Sequence, residues 1–155
     1  MIISGYQGIG KSTLAGKENC IDLESSNFWV NSRRSESWYK IYCKIANDLS
    51  KQGYIVFVSS HEIVRKELEK SKEKVLVIIP SLALKDEWIN KLEERYHSSK
   101  NNKNKKALDA AKVMYSNSIL EIMNGNLPYY VINNMDYNLL EIIKEEIKNE
   151  MWYHF

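Results

Sequence analysis

Only two cysteines, Cys20 and Cys43, occur in the 155 residues, with no CxxC pair and no neighbouring His or Cys to complete a ligand set. That excludes a disulfide framework and a zinc site, and it predicts reduced thiols in a cytoplasmic protein. Long apolar runs are missing too: the longest, residues 75–80, falls far short of the ~20 residues a membrane-spanning helix needs. Met1 leads into an apolar strand rather than a charged signal region, so neither export nor a membrane partner is expected. Charge of one sign is lacking, since 22 Lys and Arg stand against 20 Asp and Glu for a formal net charge of +2. A nucleic-acid partner would therefore need a local basic patch rather than bulk charge. What is present is a composition 44% hydrophobic and 27% charged without internal repeats, ordinary for one soluble globular domain. A chain of this length buries roughly 68–70% of its unfolded surface on folding, enough for a core without staples.

The periodicities alternate between two kinds. Short apolar or β-branched runs at residues 2–4, 54–58, 75–79 and 129–132 read as strands, and the continuous ones lack the polar alternation of a half-exposed sheet. A further strand at 20–23 rests on the alternation of Ile21 and Leu23. Apolar residues at three- and four-residue steps predict helices over 38–49, 61–72, 84–96, 107–123 and 138–150. Residues 98–106, rich in Asn and Lys, read as a polar break and the one flexible stretch. The order implies a three-layer α/β/α sandwich with a mostly parallel five-stranded sheet, in a single domain over 1–155.

The strongest local signal is Gly5-x-x-x-x-Gly10-Lys11-Ser12, between a strand and a predicted helix. It matches the phosphate-binding P-loop, or Walker A, pattern. Glycines, Gly8 among them, let backbone N–H groups converge on phosphate oxygens, and the following helix would add its N-terminal donors and dipole. In that reading Lys11 reaches the β- and γ-phosphates, Ser12 holds Mg²⁺, and Thr13 contacts the α-phosphate or caps the helix. The chain has no Asn-Lys-x-Asp run to read guanine and is too short for an oligomeric motor. A small kinase that uses ATP and Mg²⁺ is the expectation.

Through this loop the chain resembles the nucleoside/nucleotide kinase-like branch of P-loop proteins, which includes nucleoside monophosphate kinases and small phage-type deoxynucleotide kinases. Looser points of resemblance are residues 22–26, Ser59-Ser60-His61 with Arg65, the basic helix after the fourth strand, and residues 131–134. The resemblance implies γ-phosphoryl transfer from ATP to a (deoxy)nucleoside monophosphate, with a mobile basic lid around 84–106. It implies a carboxylate after the second strand that holds the acceptor hydroxyl or a Mg²⁺-bound water. Asp22 is the first choice there and Glu24 the second, on the expectation that one faces the site where the other faces away. No Asp follows the third strand, so Mg²⁺ would rely on Ser12, ATP oxygens and waters ordered by Asp22 or Ser59.

Transfer of a phosphoryl group depends on cations around the developing charge. Arg33, Arg34, Arg65, Lys85, Lys91 and Arg95 are the candidates, with Arg65 assigned to an acceptor phosphate by its bidentate fork and by the resemblance. His61 could touch the same phosphate or cap a helix. Phe28 or Trp29 could stack on an acceptor base beside Arg34, or pack in the core. The resemblance implies an adenine contact at the loop after the last strand, which makes Asn133, Asn134 and Met135 candidates, while the same residues could simply turn the chain into the last helix. Lys100, Lys103, Lys105 and Lys106, with Arg95 and His97, leave open a kinase acting on DNA or RNA. A non-catalytic ATP-binding regulator is a third possibility, and the sequence leaves monomer and homodimer both open.

Overall fold

The computed structural model describes residues 1–28 and 33–153, with the backbone alone over 150–153. Among them the chain runs β1 (Ile2–Gly5), α1 (Lys11–Leu14), β2 (Cys20–Asp22), α2 (Trp38–Lys51), β3 (Ile55–Ser59), α3 (Glu62–Leu68), β4 (Val75–Pro80), α4 (Lys85–Ser98), α5 (Asn102–Met123), β5 (Tyr129–Ile132) and α6 (Leu139–Tyr153). The five strands form one sheet in the order β2-β3-β1-β4-β5, and every pairing is parallel.

Successive strand residues point to opposite faces, and the core divides accordingly. Ile2, Val56 and Val58 pack with Tyr42, Cys43 and Ala46 of α2 and Val64 and Leu68 of α3. Ile3 and Phe57 belong instead with Leu139 and Ile143 of α6. Helices therefore cover both faces, an arrangement compatible with three layers, and the all-apolar β4 is buried along its whole length. No helix among the described residues is long and apolar enough to cross a membrane.

One expectation changes and another gains a length. The polar break of 98–106 is mostly helix: α5 starts at Asn102, and the Asn101 side chain accepts the Asn104 N–H as an N-cap. Asparagines that look like loop formers are thus a helix start. Conversely, the helix after the glycine loop is a single turn, Lys11–Leu14. Gly16, Glu18 and Asn19 all take left-handed backbone conformations, and Gly16 N–H donates to the Cys20 carbonyl at 2.8 Å. The chain turns back into β2 at once, so a helix dipole adds little at the loop.

Candidate active site

Adjacent central strands send the chain opposite ways: β1 leads toward the β2 edge, and β4 leads toward the β5 edge. Such a switch point opens a crevice at the carboxyl ends of the strands. A cavity of about 990 Å³ lies there, lined by the glycine loop, Asp22, Glu24, Arg34, His61, Arg95 and the first turns of α5. It stands at the upper end of ligand-pocket sizes, ~1,000 Å³.

The loop's shape depends on its glycines. Gly8 and Gly10 have φ of +89° and +108°, which an L side chain rarely adopts. A Cβ on Gly8 would also meet Leu92 at 3.0 Å and the Trp88 indole nitrogen at 3.2 Å. Ile9, 1% exposed, is tucked beneath the loop.

From outside, the loop is gripped by residues the sequence did not mark. Trp88 Nε1 donates to the Gln7 carbonyl at 2.8 Å, and Gln7 Nε2 donates to the Ala107 carbonyl at 3.2 Å. The Tyr137 hydroxyl donates to the Ile9 carbonyl at 2.7 Å and accepts from Lys91 Nζ at 2.8 Å. Trp88 and Tyr137 stack at 5.8 Å between centroids, with Lys91 Nζ 4.5 and 4.9 Å from their rings, an arrangement that stabilises the half-buried ammonium. Burial, with the Arg95 charge, holds the Lys91 pKa below its ordinary value.

Inside the loop, Lys11 Nζ donates to the Gly5 carbonyl at 3.0 Å. Burial pushes the Lys11 ammonium down to about 8, against the upward pull of Asp22 and Glu24. Those two carboxylates both line the cavity, which corrects the expectation that one would face away: residues two apart along an extended chain share a face. Burial and the Glu24 charge raise the Asp22 carboxyl. Burial also pushes Glu24 upward, but its hydrogen bond to Lys103 and the Lys103 charge prevail and keep it below the usual range. The Lys103–Glu24 pair, at 2.5 Å, links the first turn of α5 to the chain just beyond β2.

Arg34 lies over the Trp38 ring, 4.1 Å from its centroid, and His61 meets the same ring edge-on. His61 Nδ1 stands 3.2 Å from Ser59 Oγ. Burial and the charges of Arg34, Lys11 and Arg65 lower its pKa, which favours the neutral ring. Trp38, which periodicity marked as a helix-core residue, packs on the core beside Phe28 and Tyr42 and carries the cavity-lining side chains of Arg34 and His61.

Other expected residues lie elsewhere. Arg65 is not brought to the cavity: its Nε donates to the Ser60 carbonyl at 2.9 Å and its Nη2 pairs with Glu121, so it ties α3 to α5. Phe28 packs edge-on against Tyr42 in the core, and Trp29 lies outside the described residues. Asn133 lines a separate cleft of about 420 Å³ with Tyr130 and Tyr137, while Asn134 Oδ1 accepts the Asp136 N–H at 2.9 Å and makes a turn. Arg33, Lys85, Lys100 and Lys105 are absent from the cavity lining.

Among the described residues no group of three or more His, Cys, Asp or Glu is placed to hold a metal ion. Mg²⁺ needs no such cage, because it is commonly bound through one or two side chains, substrate phosphates and water. Ser12 and Asp22 both line the cavity and supply oxygen donors of that kind. Comparison of the chain with protein-family models and with curated proteins gives no match.

Proposed function

We propose that the protein is a P-loop kinase that transfers the γ-phosphoryl group of ATP to a nucleotide, with (deoxy)nucleoside monophosphates as the acceptor class. The observation that carries this reading is the single cavity in which a left-handed glycine loop with Lys11 faces two carboxylates and a basic wall of Arg34, Lys91, Arg95, Lys103 and Lys106. Loop amides and Lys11 suit a polyphosphate, and they act here without a long helix behind them. ATP with Mg²⁺ would supply the transferable group. Ser12 would hold the metal ion and Asp22 would order a metal-bound water, since the acceptor oxygen of a nucleoside monophosphate belongs to its phosphate and carries no hydroxyl proton to remove. Arg95 would meet the developing charge. Arg34 and Lys103 take the acceptor-side role first given to Arg65, since both line the cavity and Arg65 does not. The two cysteines are buried and free, in keeping with a reducing compartment such as the cytoplasm.

The test is transfer from γ-labelled ATP with Mg²⁺ to a panel of nucleosides, NMPs, dNMPs, and DNA bearing 5′-hydroxyl or hydroxymethyl groups, with Lys11→Ala as control. Label on a mononucleotide, lost in Lys11→Ala, is expected. Label on DNA alone would assign a polymer kinase, and ATP binding with no labelled acceptor would overturn the enzyme reading in favour of a regulatory one.

A further inference from the structure

Arg95 is held by a buried amide at the junction of α4 and α5. Its Nε donates to Asn104 Oδ1 at 2.8 Å, and Asn104 is only 6% exposed. The same amide donates through Nδ2 to the Ser99 carbonyl at 2.7 Å, and the Asn104 backbone N–H donates to Asn101 Oδ1 at 2.8 Å. A flip of this amide would set Nδ2 against the Arg95 N–H and Oδ1 against a carbonyl, two repulsive pairings in a buried place. Its orientation is therefore unique. Because the bond uses Nε, the terminal Nη nitrogens remain uncommitted to hydrogen bonds among the described residues, and Arg95 lines the cavity with Lys11 and Ser12. The Arg95 charge reaches Lys11.

We infer that Asn104 is a positioning residue, which fixes the Arg95 guanidinium so that its Nη groups meet phosphoryl oxygens held at the glycine loop. The inference rests on the kinase reading, and it explains why an asparagine is buried in the first turn of α5, where a lysine-rich stretch would otherwise be fully solvated. Positioning by a neighbour matters because phosphoryl transfer depends on where a cation stands as the charge develops, and a displacement of an ångström costs as much as ~100-fold.

The test uses the full chain in two ways. In ¹⁵N NMR, the Arg95 Nε–H resonance, identified by its disappearance in Arg95→Lys, should be dispersed and slow to exchange in the wild type and averaged in Asn104→Ala. In kinetics on the acceptor found above, Asn104→Ala should lower kcat by about 10- to 100-fold with little change in the KM for ATP. Asn104→Asp, which keeps an oxygen for Nε, should recover part of the loss and stands in should Asn104→Ala fail to fold. Adding Arg95→Lys to Asn104→Ala should cost no more than the worse single change, because both remove one interaction. A wild-type Arg95 signal already averaged, an unchanged kcat in Asn104→Ala, or fully additive losses would overturn the inference. If Arg95→Lys retains full turnover while the NMR signal still depends on Asn104, the catalytic assignment of Arg95 fails and the structural link stands.

Discussion

Lys11 shows most directly how the fold acts on a single charge. Its pKa stands at about 8 in the folded chain against an ordinary 10.5. Between those values the unfolded chain holds the extra proton, so this group's contribution to stability is fully present above 10.5 and is lost as pH falls through about 8. The thermal midpoint of the wild type relative to Lys11→Met should therefore rise from pH 7.5 to 9.5. A bound polyphosphate favours the charged amine, so binding of tripolyphosphate at pH 8 should take up protons. Titration calorimetry in two buffers of different ionisation enthalpy measures that uptake, and a heat independent of buffer would count against a buried Lys11. Asp22 and Glu24 carry a related lesson. That both would lie beside the glycine loop was legible in the sequence, but their shared face follows from the two-residue period of extended chain and had been misjudged.

Among the elements, α4 and the turn that leads into α6 act together as a clamp on the glycine loop, through Trp88 and Tyr137. Tyr137→Phe removes the hydroxyl that donates to Ile9 and accepts from Lys91. It should cost about 1–2 kcal/mol in urea denaturation and weaken tripolyphosphate binding. An unchanged midpoint and affinity would mean that the stacked rings alone hold the loop. This clamp was invisible in the sequence for a physical reason: its hydrogen bonds join residues 81 and 128 positions apart, and nothing local marks a tryptophan or tyrosine for such a bond. The helix after the loop was legible but its single turn was not, because Gly5 to Thr13 reads the same whatever follows, and the turn at Gly16–Asn19 depends on left-handed residues that include a glutamate. Arg65 was misplaced because the start of α3 adjoins the cavity while its side chain turns toward α5. Arg65→Ala should lower stability by about 1–3 kcal/mol, as expected for a charge-assisted hydrogen bond, and leave kcat unchanged. A rate loss without a stability loss would return it to the active site.

For the whole molecule, the strands and their sequence positions were legible, because runs such as 54–58 and 75–79 are β-branched and buried on both faces. Their order was not, since periodicity does not say which strands pair. That order is what gathers Asp22, His61, Arg95 and the glycine loop at one end of the sheet. It also has a consequence for how the chain comes into being. Both neighbours of β1 are distant, β3 at Ile55–Ser59 and β4 at Val75–Pro80. As the polypeptide leaves the ribosome, the glycine loop emerges well before either strand that will flank it, and contacts so far apart in sequence form slowly. The earliest part of the site to be synthesised thus waits for partners made much later, and a nascent chain that stops short of Tyr137 lacks part of what holds the phosphate cradle.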